Sequence, residues 1–344
     1  MKAVVTFNQF IKAFPTVTEK SKKLARKILP LYPSVELAQI VGALLTDGHV
    51  DWYTSDVMPR TRQIRLYSSN KAECIWFVEL CKKVFGVKGK VVAYIPKYGK
   101  FKLQPYKAIV NKAVVARILI LAGAVAGNKS NQGYKIPEWI MYSNTEIKIE
   151  FLKTIFTFDG SKPYPRKNTW TIHYSASVNP RYLETTLTFF EQLRFLLAQF
   201  GVVMGENPTK YHKLNGNVMV ITSISSRKSI TNFYRFIGYL NPIKQKRLEF
   251  AVANISRLAR VKCKTNLLEN MKKIFGTDTD TLGFINVFLC SNYTYRQFEH
   301  FRRGESVIPI EILALAERIT ERKITLPLWI DFLISRFIVP SLQI

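Results

Sequence analysis

Apolar residues recur at helical spacing at 37, 40, 41, 44 and 45, and the run stops at Asp47-Gly48. That pattern predicts a helix over 35–46. Alternating stretches follow at 62–67 (RQIRLY) and 88–95 (KGKVVAYI). After a turn at Tyr98-Gly99-Lys100 come two more, at 101–103 and 106–110. An amphipathic helix is predicted over 71–85, with apolar residues at 74, 75, 77, 78, 81, 84 and 85. A helix over 114–122 and the loop GNKSNQGYKIPEWI, ending at Ile140, complete this half.

The same order then recurs. A helix over 147–158 ends in Asp159-Gly160, and a strand is predicted at 170–174. A long amphipathic helix covers 183–200. A hairpin-like pair, at Tyr211 and 218–223, surrounds Asn215-Gly216. A helix over 229–237 and the segment 238–247 close the half. Asp47 and Asp159 stand 112 residues apart. The expected fold class is α+β: two pseudo-symmetric α-β-β-α-β-β-α repeats with antiparallel sheets, plus an all-α C-terminal segment. The expected domains are a basic N-terminal arm (1–32), a first repeat (33–145), a second repeat (146–255) and a helical C-terminal domain (256–344).

Composition narrows the function. The chain of 344 residues is 47% hydrophobic and 22% charged, which suits a packed core and excludes a disordered tail protein. Fifty-one Lys and Arg against twenty-four Asp and Glu leave a net charge of +27. Such an excess points to a polyanion, either nucleic acid or an anionic membrane. The longest apolar run, near 114–127, is broken by Arg117 and falls short of the roughly 20 residues of a membrane span. The opening MKAVVTFNQFIKAF does not suit a signal peptide, so the expected compartment is intracellular. Cys74, Cys81, Cys263 and Cys290 form no C-x-x-C pair, and no His lies at zinc-finger spacing from them. They are expected to be reduced and buried.

The candidate chemistry lies in the repeated helix-Asp-Gly. A single copy is an ordinary helix stop. Two copies, at one place in two repeats of a very basic chain, suggest more. Hydrolysing phosphodiesters calls for divalent cations held by hard oxygen ligands. If a pseudo-dyad relates the repeats, the two helices pack side by side, and Gly42 and Ala43 let their backbones approach. Asp47 and Asp159 then meet at the bottom, with carboxylates within about 8 Å of each other, since paired catalytic ions sit about 4 Å apart. His49, a lone His beside Asp47-Gly48, is more commonly a satisfied surface residue than a ligand.

These residues resemble the LAGLIDADG homing endonucleases in their single-chain, two-repeat form. The resemblance covers roughly residues 33–250. It rests on LAQIVGALLTDGHV and EFLKTIFTFDGSK, and on the closing segments GNKSNQGYKIPEWI and YRFIGYLNPIKQKRLE. It implies two saddle-shaped antiparallel sheets lying in the major groove of double-stranded DNA. It also implies Mg²⁺ as cofactor, Asp47 and Asp159 as metal ligands, and sequence-specific cleavage by a monomer. The chain departs from the family in two ways. Thr154 stands where the motif usually has Gly. Many members carry a Lys or Gln near the end of the first strand of each repeat; Tyr174-Ser175-Ala176-Ser177 has no basic residue, and in Tyr67-Ser68-Ser69-Asn70-Lys71 the nearby Lys71 is expected to begin the next helix. Lys102 and Lys213, in later strands, are the expected substitutes.

Basic residues interleave with aromatics in VAYIPKYGKFKLQPYK and PYPRKNTWTIHY, as suits phosphate and base-edge contacts. The candidate DNA contacts are Arg60, Arg62, Arg65, Lys100, Lys102 and Gln104 in the first half. In the second they are Arg166, Lys167, His173 and Lys210. YRQFEHFRRGESVIPIEILALAERI also resembles a helix-turn-helix of the phage-repressor type, which would turn Tyr295, Arg296, Gln297 and Arg302 to DNA. Alternatives to the nuclease are a DNA-binding regulator without cleavage and an RNA-splicing maturase acting on intron RNA.

Overall fold

The computed structural model describes the chain except residues 1, 52–62, 95–104, 167–168, 207, 213–215, 259, 262–265, 290, 323–324, 339 and 341–344. Helices α1 (Phe7–Ala13) and α2 (Glu19–Ile28) open it. They are packed rather than extended. Val4 N donates to Leu31 O at 2.7 Å, and Phe10 and Ala25 are fully buried. The N-terminal segment is therefore folded onto the body of the protein and is no loose arm.

Helix α3 (Val35–Leu45) starts at Ser34, whose hydroxyl accepts from Leu37 N at 3.2 Å. Every residue from Leu37 to Leu45 is buried, as befits a helix that is apolar all round. It ends one residue before the expected stop. Thr46 turns its hydroxyl back onto Gly42 O at 2.9 Å, and the chain enters β1 (Gly48–Val50) at once. Next come β2 (Ile64–Ser68), α4 (Lys71–Phe85), β3 (Lys90–Ala93), β4 (Tyr106–Val110) and α5 (Ala113–Leu121). Helix α4 stops at Gly86, which takes the left-handed φ of 65°.

After the short α6 (Glu138–Met141) the order repeats as α7 (Thr145–Phe158), β5 (Tyr164–Arg166), β6 (Thr169–Val178), α8 (Leu183–Ala198), β7 (Thr209–His212), β8 (Val218–Ile224) and α9 (Arg227–Phe236). Among the described residues each half carries one four-stranded antiparallel sheet. Their orders are β1-β2-β4-β3 and β5-β6-β8-β7, one topology twice. Sequence reading missed the three-residue edge strands β1 and β5, which are too short to show alternation. It also ended β6 early, because the polar run Ser175–Ser177 hides a strand that pairs with Met219–Ile221.

The two halves meet through α3 and α7. At the crossing, a Cβ on Gly42 would lie 3.3 Å from Thr154 Cβ, so the backbones do approach closely there. Gln39 Nε2 adds a hydrogen bond to Glu150 Oε2 at 2.7 Å across the same seam.

The second half runs into one long helix, α10 (Pro242–Leu258), which merges the expected closing segment and linker. The remainder is α11 (Leu267–Phe275), α12 (Asp278–Phe288), α13 (Tyr295–Arg302), α14 (Ile310–Thr320) and α15 (Leu328–Leu333), the last continuing into a π-turn at Ile334–Ile338. It is not wholly helical: β9 (Arg260–Val261) pairs with β10 (Ile308–Pro309). No helix of the described residues is long and apolar enough to cross a membrane.

Candidate active site

Asp159 is the C-terminal cap of α7, and Asp47 lies two residues beyond the end of α3. A helix C-terminus is a poor place for a carboxylate, since unpaired carbonyls leave it partially negative. Two lysines answer that charge in the same way. Lys129 Nζ donates to Leu44 O at 3.2 Å and to Gly48 O at 2.8 Å. Lys244 Nζ donates to Thr157 O and Gly160 O, both at 2.6 Å. Each ammonium thus bridges the carbonyls on either side of one aspartate.

The four groups act on one another. Burial, then the Asp47 charge, pushes Asp159 up to about 7, against the pull of Lys129 and Lys244. Asp47 is also raised, first by the protein crowded round its carboxyl and last by Glu73, with both lysines opposing. As a residue Asp47 is nonetheless exposed to solvent. Burial lowers both lysines, and both aspartates hold them up. On the Asp159 side the fully enclosed Tyr174 turns its hydroxyl to Oδ2 at 3.5 Å. On the Asp47 side Glu73 accepts from Asn241 Nδ2 at 2.7 Å and from Ser68 Oγ at 2.5 Å.

The aspartates singled out in the sequence act on each other's charge and so lie near one another. Lys102 and Lys213 lie outside the described residues. Lys129 and Lys244, which sequence reading missed, come from the two closing segments, GNKSNQGYKIPEWI and LNPIKQKRLE. Their signal was a basic residue at one place in each closing segment, legible only once those segments fold under the helix ends.

Of the candidate DNA contacts, Arg60, Arg62, Lys100, Gln104 and Lys167 also lie outside the described residues. Arg65 sits half-buried on the interior strand β2, and His173 on the interior strand β6, where Tyr164 Oη lies 2.6 Å from its Nε2. Arg166 and Lys210 are exposed at strand positions. Sequence reading missed Lys107, which stands over the Tyr94 ring at 5.1 Å on the first sheet.

In the helical C-terminal part Arg296 is exposed. Arg302 is not turned outward. It is bound to Glu269 and lies 3.8 Å from Asp278, so it fastens α13 to α11 and α12. Arg303 is likewise paired with Glu299 on its own helix. Cys74 and Cys81 are free and buried, as expected; Cys263 and Cys290 lie outside the described residues.

No protein-family model matches the chain. Among curated proteins it is 33% identical over 132 residues to the replication factor C small subunit of Methanocaldococcus jannaschii, covering 38% of this chain and 7% of that protein. It is 24% identical over 220 residues to the glutamine–fructose-6-phosphate aminotransferase of the same organism, covering 64% and 18%. It is 26% identical over 269 residues to the tRNA-splicing ligase RtcB of Pyrococcus furiosus, covering 73% and 26%. The chain therefore spans only about a quarter or less of these relatives. Among solved structures it is similar to I-DmoI in complex with DNA and Ca, at 15% identity over 63% of this chain and 96% of that one, TM-score 0.39. The homing endonuclease I-WcaI bound to its DNA recognition sequence matches at 13% identity, over 69% of this chain and 93% of that one, TM-score 0.40. Full-length DUF199/WhiA of Thermatoga maritima matches at 14% identity, over 90% of this chain and all of that one, TM-score 0.39.

Proposed function

We propose that this chain binds double-stranded DNA along its two sheets and hydrolyses a phosphodiester in each strand, as a monomeric LAGLIDADG-type endonuclease using Mg²⁺. The carrying observation is the convergence of Asp47, Asp159, Lys129 and Lys244 at the ends of twin helices, in a chain of net charge +27.

The donor set fits a hard cation. Among the described residues no three His, Cys, Asp or Glu side chains could cage an ion. Mg²⁺ does not need a cage: it keeps waters and takes one or two carboxylates together with substrate phosphates. Asp47 and Asp159 would be those carboxylates. When bound, the cation supplies Lewis-acid charge and a more acidic water. The chain's own part is to position the DNA and steady its charge. Each lysine spends two of its three N–H donors on helix-end carbonyls, which leaves one for a phosphate oxygen.

We assign the sheet faces to the DNA grooves, with Arg65 and Lys107 on one and His173 and Arg166 on the other. The bounds 1–32, 33–145, 146–255 and 256–344 serve as working domains, and Arg296 remains the exposed candidate for a helix-turn-helix contact. The test is incubation of the protein with Mg²⁺ and a plasmid library carrying the sequence that flanks its own gene. A double-strand cut at one site is expected, and folded protein that cuts nowhere overturns the nuclease. A second reading, a DNA-binding regulator, is favoured by the stretch Tyr174-Ser175-Ala176-Ser177, which has no basic residue where many such enzymes carry Lys or Gln. Under it, Asp47→Asn changes nothing measurable in DNA. Competition between intron RNA and duplex DNA separates the maturase.

A further inference from the structure

Asp51 is fully buried, and among the described residues it is the only acidic side chain enclosed to that degree. Nothing in the proposed hydrolysis uses it. A lone buried carboxylate costs several kcal/mol unless it is paired. Asp51 is paired, on the same face of the first sheet as Arg65 and His49. Its Oδ2 binds the Arg65 guanidinium and accepts from Gln63 Nε2 at 2.9 Å. Its Oδ1 lies 2.9 Å from His49 Nε2. Asp51 N in turn donates to Gln63 O at 2.8 Å, which fixes the backbone of the hub.

Arg65 stands opposite His49 in the ladder, on the interior strand of the sheet. Nη2 is held by Asp51, and Nη1 donates to Tyr67 Oη at 3.3 Å. One N–H remains on each terminal nitrogen, and the side chain is 23% exposed. A guanidinium fixed by its inner edge with a free pair of donors suits two acceptors on one base, as guanine presents with O6 and N7. Holding an arginine in place beforehand also removes the entropy cost of ordering it on contact.

Among the described residues the second repeat has no carboxylate at the equivalent place. Gly48 pairs with Leu66 and His49 with Arg65. In the other half Gly160 pairs with Tyr174, and Ser161 N donates to His173 O at 2.8 Å. His173 therefore occupies the position of Arg65 and Ser161 that of His49, and Tyr164, which pairs with Thr171, stands where Asp51 does. One half presents a carboxylate-clamped cation, and the other an imidazole held by a tyrosine.

We infer that Asp51 is a specificity-determining positioning residue: it clamps Arg65 as a fixed reader of a guanine-containing pair in the half-site under the first sheet, where the second sheet sets a tyrosine-held imidazole instead of a carboxylate-held cation. This rests on the DNA-binding reading above. The experiment selects binders from a duplex library randomised across the site, using wild type, Asp51→Asn and Arg65→Lys. Wild type is expected to enrich a motif with a guanine at one position of one half-site. Both variants are expected to lose preference there by roughly tenfold and to keep it elsewhere. Arg65→Lys preserves the charge and guards against a folding failure of Asp51→Asn, and thermal melting checks both. Variants that enrich the wild-type motif at every position, or that lose preference uniformly, overturn the inference and leave DNA binding intact. Wild type that enriches no motif overturns the DNA reading itself.

Discussion

Lys129 and Lys244 occupy equivalent places: each ammonium ties together two carbonyls flanking an aspartate, one at the end of α3 and the other at the end of α7. The two lysines enter from different sequence contexts, yet they solve one electrostatic problem. Without them, two carboxylates would face each other across two negative helix ends.

That relation predicts a selective loss. Lys129→Met and Lys244→Met each remove a cation that can stabilise charge on a phosphate oxygen, at a cost of about 10²–10³-fold in cleavage. Duplex binding through the sheets is expected to stay within severalfold. Nicking and double-strand cutting of a supercoiled plasmid, measured beside a binding titration, check it. Equal losses of binding and cleavage would make these lysines ordinary DNA contacts.

The helix seam gives a stability prediction. A Cβ on Gly42 would meet Thr154 Cβ and Cγ2 at 3.3 Å and Ile155 Cγ2 at 3.4 Å. Thr154 is fully buried and its hydroxyl is committed to Glu150 O at 2.7 Å, so it has little freedom to yield. Gly42→Val is expected to cost about 1–3 kcal/mol through overpacking. Combined with Thr154→Ala it should cost less than the two losses added, with a coupling of about 0.5–3 kcal/mol in denaturant titrations. Strict additivity would mean that the helices part rather than press.

Much of this was legible in the sequence, because it lies in local pattern. Helix α4 was bounded correctly from periodicity alone, and Asp47 and Asp159 stood out as one motif in two repeats. The misses are long-range. Lys129 is 82 residues from Asp47, and no spacing rule links them until α3 lies over the closing loop. The Asp51 hub was equally hidden. A single Asp after a helix stop reads as a loop residue, and only the pairing of β1 with β2 brings Arg65 and Gln63 onto it. The ion pairs of Arg302 were hidden for the opposite reason: a basic residue in a recognition-helix pattern looks free until its acidic partners on other helices are known.

Arg302 and Arg296 should therefore part company. Arg302→Ala is expected to destabilise the C-terminal helices by about 1 kcal/mol, the scale of a charge-assisted hydrogen bond near a surface, and to leave DNA affinity unchanged. Arg296→Ala is expected to leave melting unchanged and, if α13 meets phosphate, to lower the slope of log affinity against log salt by about 1. Salt-dependent binding titrations and thermal melts distinguish them. A reversed pattern would return Arg302 to the surface.

The raised Asp159 predicts an unusual dependence of stability on pH. An acid whose pKa is raised on folding binds its proton more tightly in the folded chain. The unfolded carboxyl titrates near 3.9, whereas the folded one titrates at about 7. Below pH 4 the group is neutral in both states and contributes nothing. Between the two values folding takes up a proton, so stability falls as pH rises; above 7 the full cost of a buried, Asp47-facing carboxylate is present. A shift from near 3.9 to about 7 corresponds to about 4 kcal/mol, with the opposing pull of Lys129 and Lys244 already included. Asp159→Asn is expected to flatten the decline between pH 5 and 8 and to melt higher than wild type at pH 8 in EDTA. Mg²⁺ should reverse the wild-type penalty, because a bound cation favours the ionised carboxylate, and it should raise melting more at pH 8 than at pH 5.5. The asparagine variant should lose most of that metal effect. Melting curves across pH, with EDTA or with Mg²⁺, provide the measurement. Parallel curves for wild type and Asp159→Asn in EDTA would show that Asp159 is not held in the crowded, like-charged setting described, and a Mg²⁺ response that survives in the variant would place the cation elsewhere.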